Sequence, residues 1–128
     1  ERRKYKLMGN VNKFKEIKGE TIWELDEFIN VIELHFGIVS DVLDIMKDIY
    51  KGLQQVKSKI NVKKRKGNDV VIRFKEGGNI ATFWFNNNSV SIRVVGDELF
   101  DKQKTINNVS ELEKYNVVDI ISRKAKLM

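Results

Sequence analysis

The chain has 128 residues, 41% of them apolar and 33% charged, with no cysteine and a formal charge of +6. That length and balance suit one folded domain and exclude intrinsic disorder, a disulfide framework and thiolate metal sites. No apolar run approaches the roughly 18 residues of a membrane span, and the basic start lacks a signal peptide's apolar stretch, so the expected location is the cytoplasm, with no membrane partner.

Residues 1–19 read as a basic arm in which seven bases, Arg2, Arg3 and Lys4 among them, outnumber Glu1 and Glu16. Residues 20–50 invert the sign, with eight acids against Lys47, and residues 51–66 then add seven bases and no acid. Blocks of one sign mark partner-facing surfaces, or faces that attract one another within the fold.

The segment 20–60 reads as helical. Ile22, Leu25, Ile29, Ile32 and Phe36, then Val42, Leu43, Met46, Ile49, Leu53 and Val56, recur at helical spacing. Thr21-Ile22-Trp23-Glu24 has the form of a capping box, Gly37 interrupts the run, and Ser40-Asp41 offers a second start. Two helices are expected, near 22–36 and 40–58. Gly52 inside the second costs about 1 kcal/mol relative to alanine unless close packing requires it or the helix ends early.

Between 60 and 96 the period falls to two. Segments 69–75, 79–85 and 89–95 read as strands of an antiparallel meander, joined at Gly77-Gly78 and at Asn86-Asn87-Asn88, with a preceding strand at 60–64. Two-residue turns would set Phe74 opposite Ala81 and Ile72 opposite Phe83 in the first hairpin, and Phe83 opposite Ile92 in the second, giving one wholly apolar face. A three-residue turn after the first strand keeps Ile60 and Val62 on that face. A polar connector follows, and Ser110-Glu111-Leu112-Glu113 opens a C-terminal helix over 109–127 with Leu112, Tyr115, Val118 and Ile121 as its buried stripe. The expected fold is a single α+β domain with a helical N-terminal half, a meander of three to four strands and a C-terminal helix.

The same alternation puts Asn61, Arg73, Thr82 and Arg93 in one row of the opposite sheet face, with Lys63, Val71, Trp84 and Ser91 in the next. Cations for phosphate and one indole for a base are the physics of a nucleic-acid platform. The bland alternative has Trp84 packed under the terminal helix. The turn Lys63-Lys64-Arg65-Lys66 and the arm at Arg2, Arg3 and Lys4 would add phosphate contacts, to DNA or RNA.

Catalytic signatures are missing. His35 is the only histidine, its neighbours at three and four positions are Ile32, Val39, Val31 and Ile38, and no carboxylate of its helix orients it, so it reads as a packing residue. Asp41, Asp44 and Asp48 share a helix face beside Lys47 and Lys51 and read as a solvated stripe rather than a cation site. Glu16-Ile17-Lys18 lacks the upstream aspartate of a metal nuclease. No phosphate loop, nucleophile elbow or dinucleotide fingerprint is present, and no metal or cofactor is expected.

The expected function is a non-enzymatic nucleic-acid-associated domain. Its rival is a protein-interaction module that offers Glu24, Glu27, Asp41, Asp44 and Asp48 to a basic protein partner, in the manner of phosphate, or forms a homodimer through Val39, Met46 and Leu53.

Overall fold

The computed structural model describes residues 14–17, 21–37, 40–65 and 67–127. The basic arm through residue 13, and Lys66, lie outside the described residues. The fold is α+β. Strands β1 (Ile22–Trp23), β2 (Ile60–Lys64), β3 (Asp69–Phe74), β4 (Asn79–Phe85), β5 (Val90–Val94) and β6 (Lys104–Ile106) form one antiparallel sheet in sequence order. Two of these strands, β1 and β6, were not expected, because two and three residues are too short to carry a readable alternation.

Helices α1 (Leu25–Phe36) and α2 (Asp41–Gly52) precede the meander, and α3 (Val109–Lys114) and α4 (Val117–Lys126) follow it. The first helix starts later than expected. Glu24, not Thr21, is its N-cap, and the reciprocal box is closed by Glu27, whose carboxylate accepts from the Glu24 N–H at 3.1 Å. Thr21 instead belongs to the edge of the sheet, its carbonyl accepting from the Lys64 N–H. Gly37 ends α1 at φ 83°, where a side chain would be strained, and the Ser40 hydroxyl caps α2 by accepting from the Leu43 N–H at 3.0 Å.

The second helix ends at Gly52, short of the expected boundary, and a 3-10 helix over Gln54–Lys59 carries the chain into β2. A Cβ on Gly52 would lie 1.9 Å from Val118 Cγ1, so close packing explains this glycine. Asp26, Tyr50 and Lys57 tie these elements together: Tyr50 Oη donates to Asp26 Oδ1 at 2.6 Å, and Lys57 Nζ to Asp26 Oδ2 at 3.1 Å.

The C-terminal helix is also divided. Asn108 caps α3, with its side chain accepting from the Glu111 N–H, and Asn116 adopts a left-handed conformation at φ 58° between α3 and α4. That break resets the helical phase, so the buried stripe is Leu112, Val117, Ile121 and Ala125, with Tyr115 and Val118 only partly buried.

The second hairpin has the expected register, with Phe85 opposite Val90, Phe83 opposite Ile92 and Ala81 opposite Val94. The first is displaced by two residues. Ile72 faces Ala81 and Val70 faces Phe83, because Phe74 N–H donates to the Gly78 carbonyl around a longer loop and Ile80 is the extra residue of a bulge. A slide of two preserves which face each side chain occupies.

The inner face, with Ile60, Val62, Val70, Ile72, Phe83, Phe85 and Ile92, forms one continuous core with the helices. Phe85 is its centre, with ring centroids 5.1 Å from Phe14, 5.6 Å from Phe36 and 6.3 Å from Phe28. His35 is half-buried and meets Phe14 edge-on at 6.0 Å, in keeping with a packing role. Of the expected homodimer stripe, Met46 and Leu53 are buried in this same core, and Val39 lies outside the described residues.

Candidate functional site on the outer sheet face

The pairing of β1 to β6 fixes the opposite face. Ile22, Lys63, Val71, Thr82 and Arg93 stand in one row, Asp69, Trp84, Ser91 and Thr105 in the next, and Asn61 beside Arg73 in a third. The rows differ from expectation because of the displaced hairpin. The face does not change, and Lys63, Arg73, Trp84 and Arg93 share it.

The neighbouring lysine is on the other side. Parity puts Lys64 with Ile60 and Val62, and it is 1% exposed. Its Nζ donates to the carbonyls of Arg65 (3.0 Å) and Gly67 (2.7 Å) and lies 5.2 Å from the centre of the Phe14 ring. Burial holds its pKa below the ordinary 10.5, against the opposing pull of Asp69. Lys64 closes the turn with its amine buried, a correction to the expectation that it contacts phosphate alongside Lys63 and Arg65.

The remaining cations are positioned by partners. Arg65 bridges to Asp69 at 3.0 Å, and Arg93 donates from Nε to the Asp101 carbonyl at 2.8 Å and from Nη2 to its carboxylate at 3.3 Å. Both guanidinium side chains remain more than 40% exposed, at 44% and 42%. Arg73 differs. Its Nε donates to Asn61 Oδ1 at 3.1 Å, a neutral acceptor that orients the guanidinium and leaves its charge uncompensated by any carboxylate among the described residues.

Small residues between these long side chains are covered: Val71 is fully buried, and Thr82 and Ser91 are 4% exposed. A ligand on this face therefore meets guanidinium and ammonium tips and the Trp84 ring rather than the sheet backbone. The Ser91 and Thr105 hydroxyls bond each other at 3.0 Å. Asn61 and Asp101, which hold Arg73 and Arg93, were not singled out from the sequence. The Asn61–Arg73 pair was legible in the register, but Asp101 lies in a connector that had no assigned neighbour.

Of the acidic residues named for a basic partner, Glu24 pairs with Lys75 at 3.0 Å and Glu27 serves the α1 cap. Asp41, Asp44 and Asp48 make no ion pair among the described residues, and Asp41 and Asp44 occupy the first turn of α2, where the helix dipole favours them. Among the described residues, no three His, Cys, Asp or Glu side chains are grouped to hold a metal ion, and no helix is long and apolar enough to cross a membrane. No family model, curated protein or solved structure matches the chain.

Proposed function

We propose that this chain is a nucleic-acid-associated domain of the cytoplasm, acting by binding rather than catalysis, that holds phosphate backbone against the outer sheet face with Lys63, Arg65, Arg73 and Arg93. The observation supporting this reading is the common face of Lys63, Arg73 and Arg93, with Arg65 bridged to Asp69 of that face and Arg73 oriented by an amide, no carboxylate among the described residues compensating its charge. Phosphate contacts of this kind carry affinity without sequence preference, and each one releases counterions.

Three to four such contacts to a single strand give a log–log salt slope of about −2 to −3, so affinity falls about 20- to 50-fold between 50 and 200 mM salt. Fluorescence anisotropy with labelled mixed-sequence oligonucleotides measures this directly. Arg73→Ala and Arg93→Ala are each expected to weaken binding to every sequence alike. Absence of binding to DNA and RNA at low ionic strength would overturn the proposal.

The carboxylates of Asp41, Asp44 and Asp48, which make no ion pair among the described residues, favour a second reading, a module that binds a basic protein partner. It predicts no intrinsic nucleic-acid affinity, and a partner interaction lost in the Asp41→Asn/Asp44→Asn/Asp48→Asn variant.

A further inference from the structure

The two tryptophans of this chain have opposite surroundings. Trp23 packs against the core, its ring 5.6 Å from that of Phe28. Trp84, at the centre of the outer face between Asp69 and Ser91, belongs to no apolar cluster, and among the described residues its indole makes no hydrogen bond, ring contact or cation–π contact. It does not pack under the terminal helix, whose buried residues belong to the inner core.

A large, half-buried aromatic with no ring or hydrogen-bond partner among the described residues, on a face that carries Lys63, Arg73 and Arg93, is what base stacking requires. The relief of the face points the same way. The described helices pack on the other side, and the turns joining β3 to β4 and β4 to β5 are short: Phe74 is closed by Gly78, and Asn86 by Ser89 at 2.9 Å. Among the described residues, none on this side projects as a helix or ribbon of the kind that enters a duplex major groove, about 12 Å wide. Lys63 and Arg93 stand three strand spacings apart, about 14 Å, on either side of the line of strands that includes Trp84.

Resting on the phosphate-binding reading, we infer that the nucleic acid held on this face is single-stranded, with one base stacked on the Trp84 indole and its flanking phosphates on Arg93 and Arg73. Stacking is available only to an unpaired base. The duplex offers the same phosphates without it.

The test compares labelled 12-nucleotide oligothymidylate and oligouridylate, a 12-base-pair duplex and heparin, a polyanion with no bases, on the full chain at 50 mM salt. Single strands are expected to bind more tightly than the duplex. Trp84→Ala should lose at least about fivefold for single strands and leave heparin affinity unchanged, and Trp84→Phe should retain most of the single-strand affinity. Unchanged heparin affinity reports that the cationic contacts are intact, and an unchanged circular dichroism melt that the variant is folded. Equal binding of duplex and single strand, or a Trp84→Ala variant with unaltered single-strand affinity, overturns this inference while the phosphate reading stands. Failure of all four ligands to bind overturns both.

Discussion

The two faces of the sheet are built from the same alternating strands, and adjacent residues show how far they diverge. Lys63 stands in the outer cationic row, whereas Lys64, one position later, is buried with its amine held by two turn carbonyls. Phe85 meets three aromatic rings, and its neighbour Trp84 touches none among the described residues. Inside, side chains are chosen by packing density. Outside, the polar partners orient charge without filling space.

If that division is right, stability and binding separate by face. The largest effect is expected at Phe85→Ala, which removes the ring shared by Phe14, Phe28 and Phe36 and should cost about 3–5 kcal/mol in a urea titration. Trp84→Ala, one residue away, should cost under about 1 kcal/mol. Comparable losses at the two positions would erase the comparison.

Gly52→Ala comes next. Its Cβ would lie 1.9 Å from Val118 Cγ1, and the overpacking is expected to cost about 1–3 kcal/mol despite alanine's better helix propensity. Pairing it with Val118→Ala should recover much of the loss in thermal melts, because the clash rather than the backbone is the cause.

The lysine pair sharpens the contrast at smaller amplitude. Lys64→Ala should lower stability by about 1–3 kcal/mol, since it strips the carbonyls of Arg65 and Gly67 of their donor, and should leave oligonucleotide affinity intact. Lys63→Ala should do the reverse. A single titration series on both variants reads both outcomes.

The smallest expected effect concerns Asp26. The Tyr50 hydroxyl, and then Lys57, hold its carboxyl below the ordinary 3.8, and the same hydrogen bond raises the Tyr50 pKa above 10.0. A carboxyl depressed on folding contributes stability that is present above its unfolded value and lost as pH falls through the folded one. Acid unfolding of Asp26→Asn should therefore show a shallower pH dependence below about pH 4 than the parent chain.

Much of this architecture was legible in the sequence because it rests on alternation. The meander, its inner face and the shared outer position of Arg73, Trp84 and Arg93 follow from parity, which survives a register slide of two. What parity does not report is partner identity across a loop of unknown length, so the first hairpin's pairing and the Ile80 bulge were not readable. Short strands escaped for lack of residues. Helix ends misled where two caps competed, as with Thr21 and Glu24, and where Asn116 entered a left-handed conformation that no spacing announces. The basic turn looked uniform in composition, and only the strand's phase separates buried Lys64 from Lys63.

The most direct test of the central claim is the salt dependence of oligothymidylate binding, measured for the parent chain and for Arg73→Ala/Arg93→Ala. The loss of two phosphate contacts should reduce the log–log slope by about 1.4 and weaken affinity at low salt. A parent chain that does not bind, or a double variant with the parent's slope and affinity, contradicts the account.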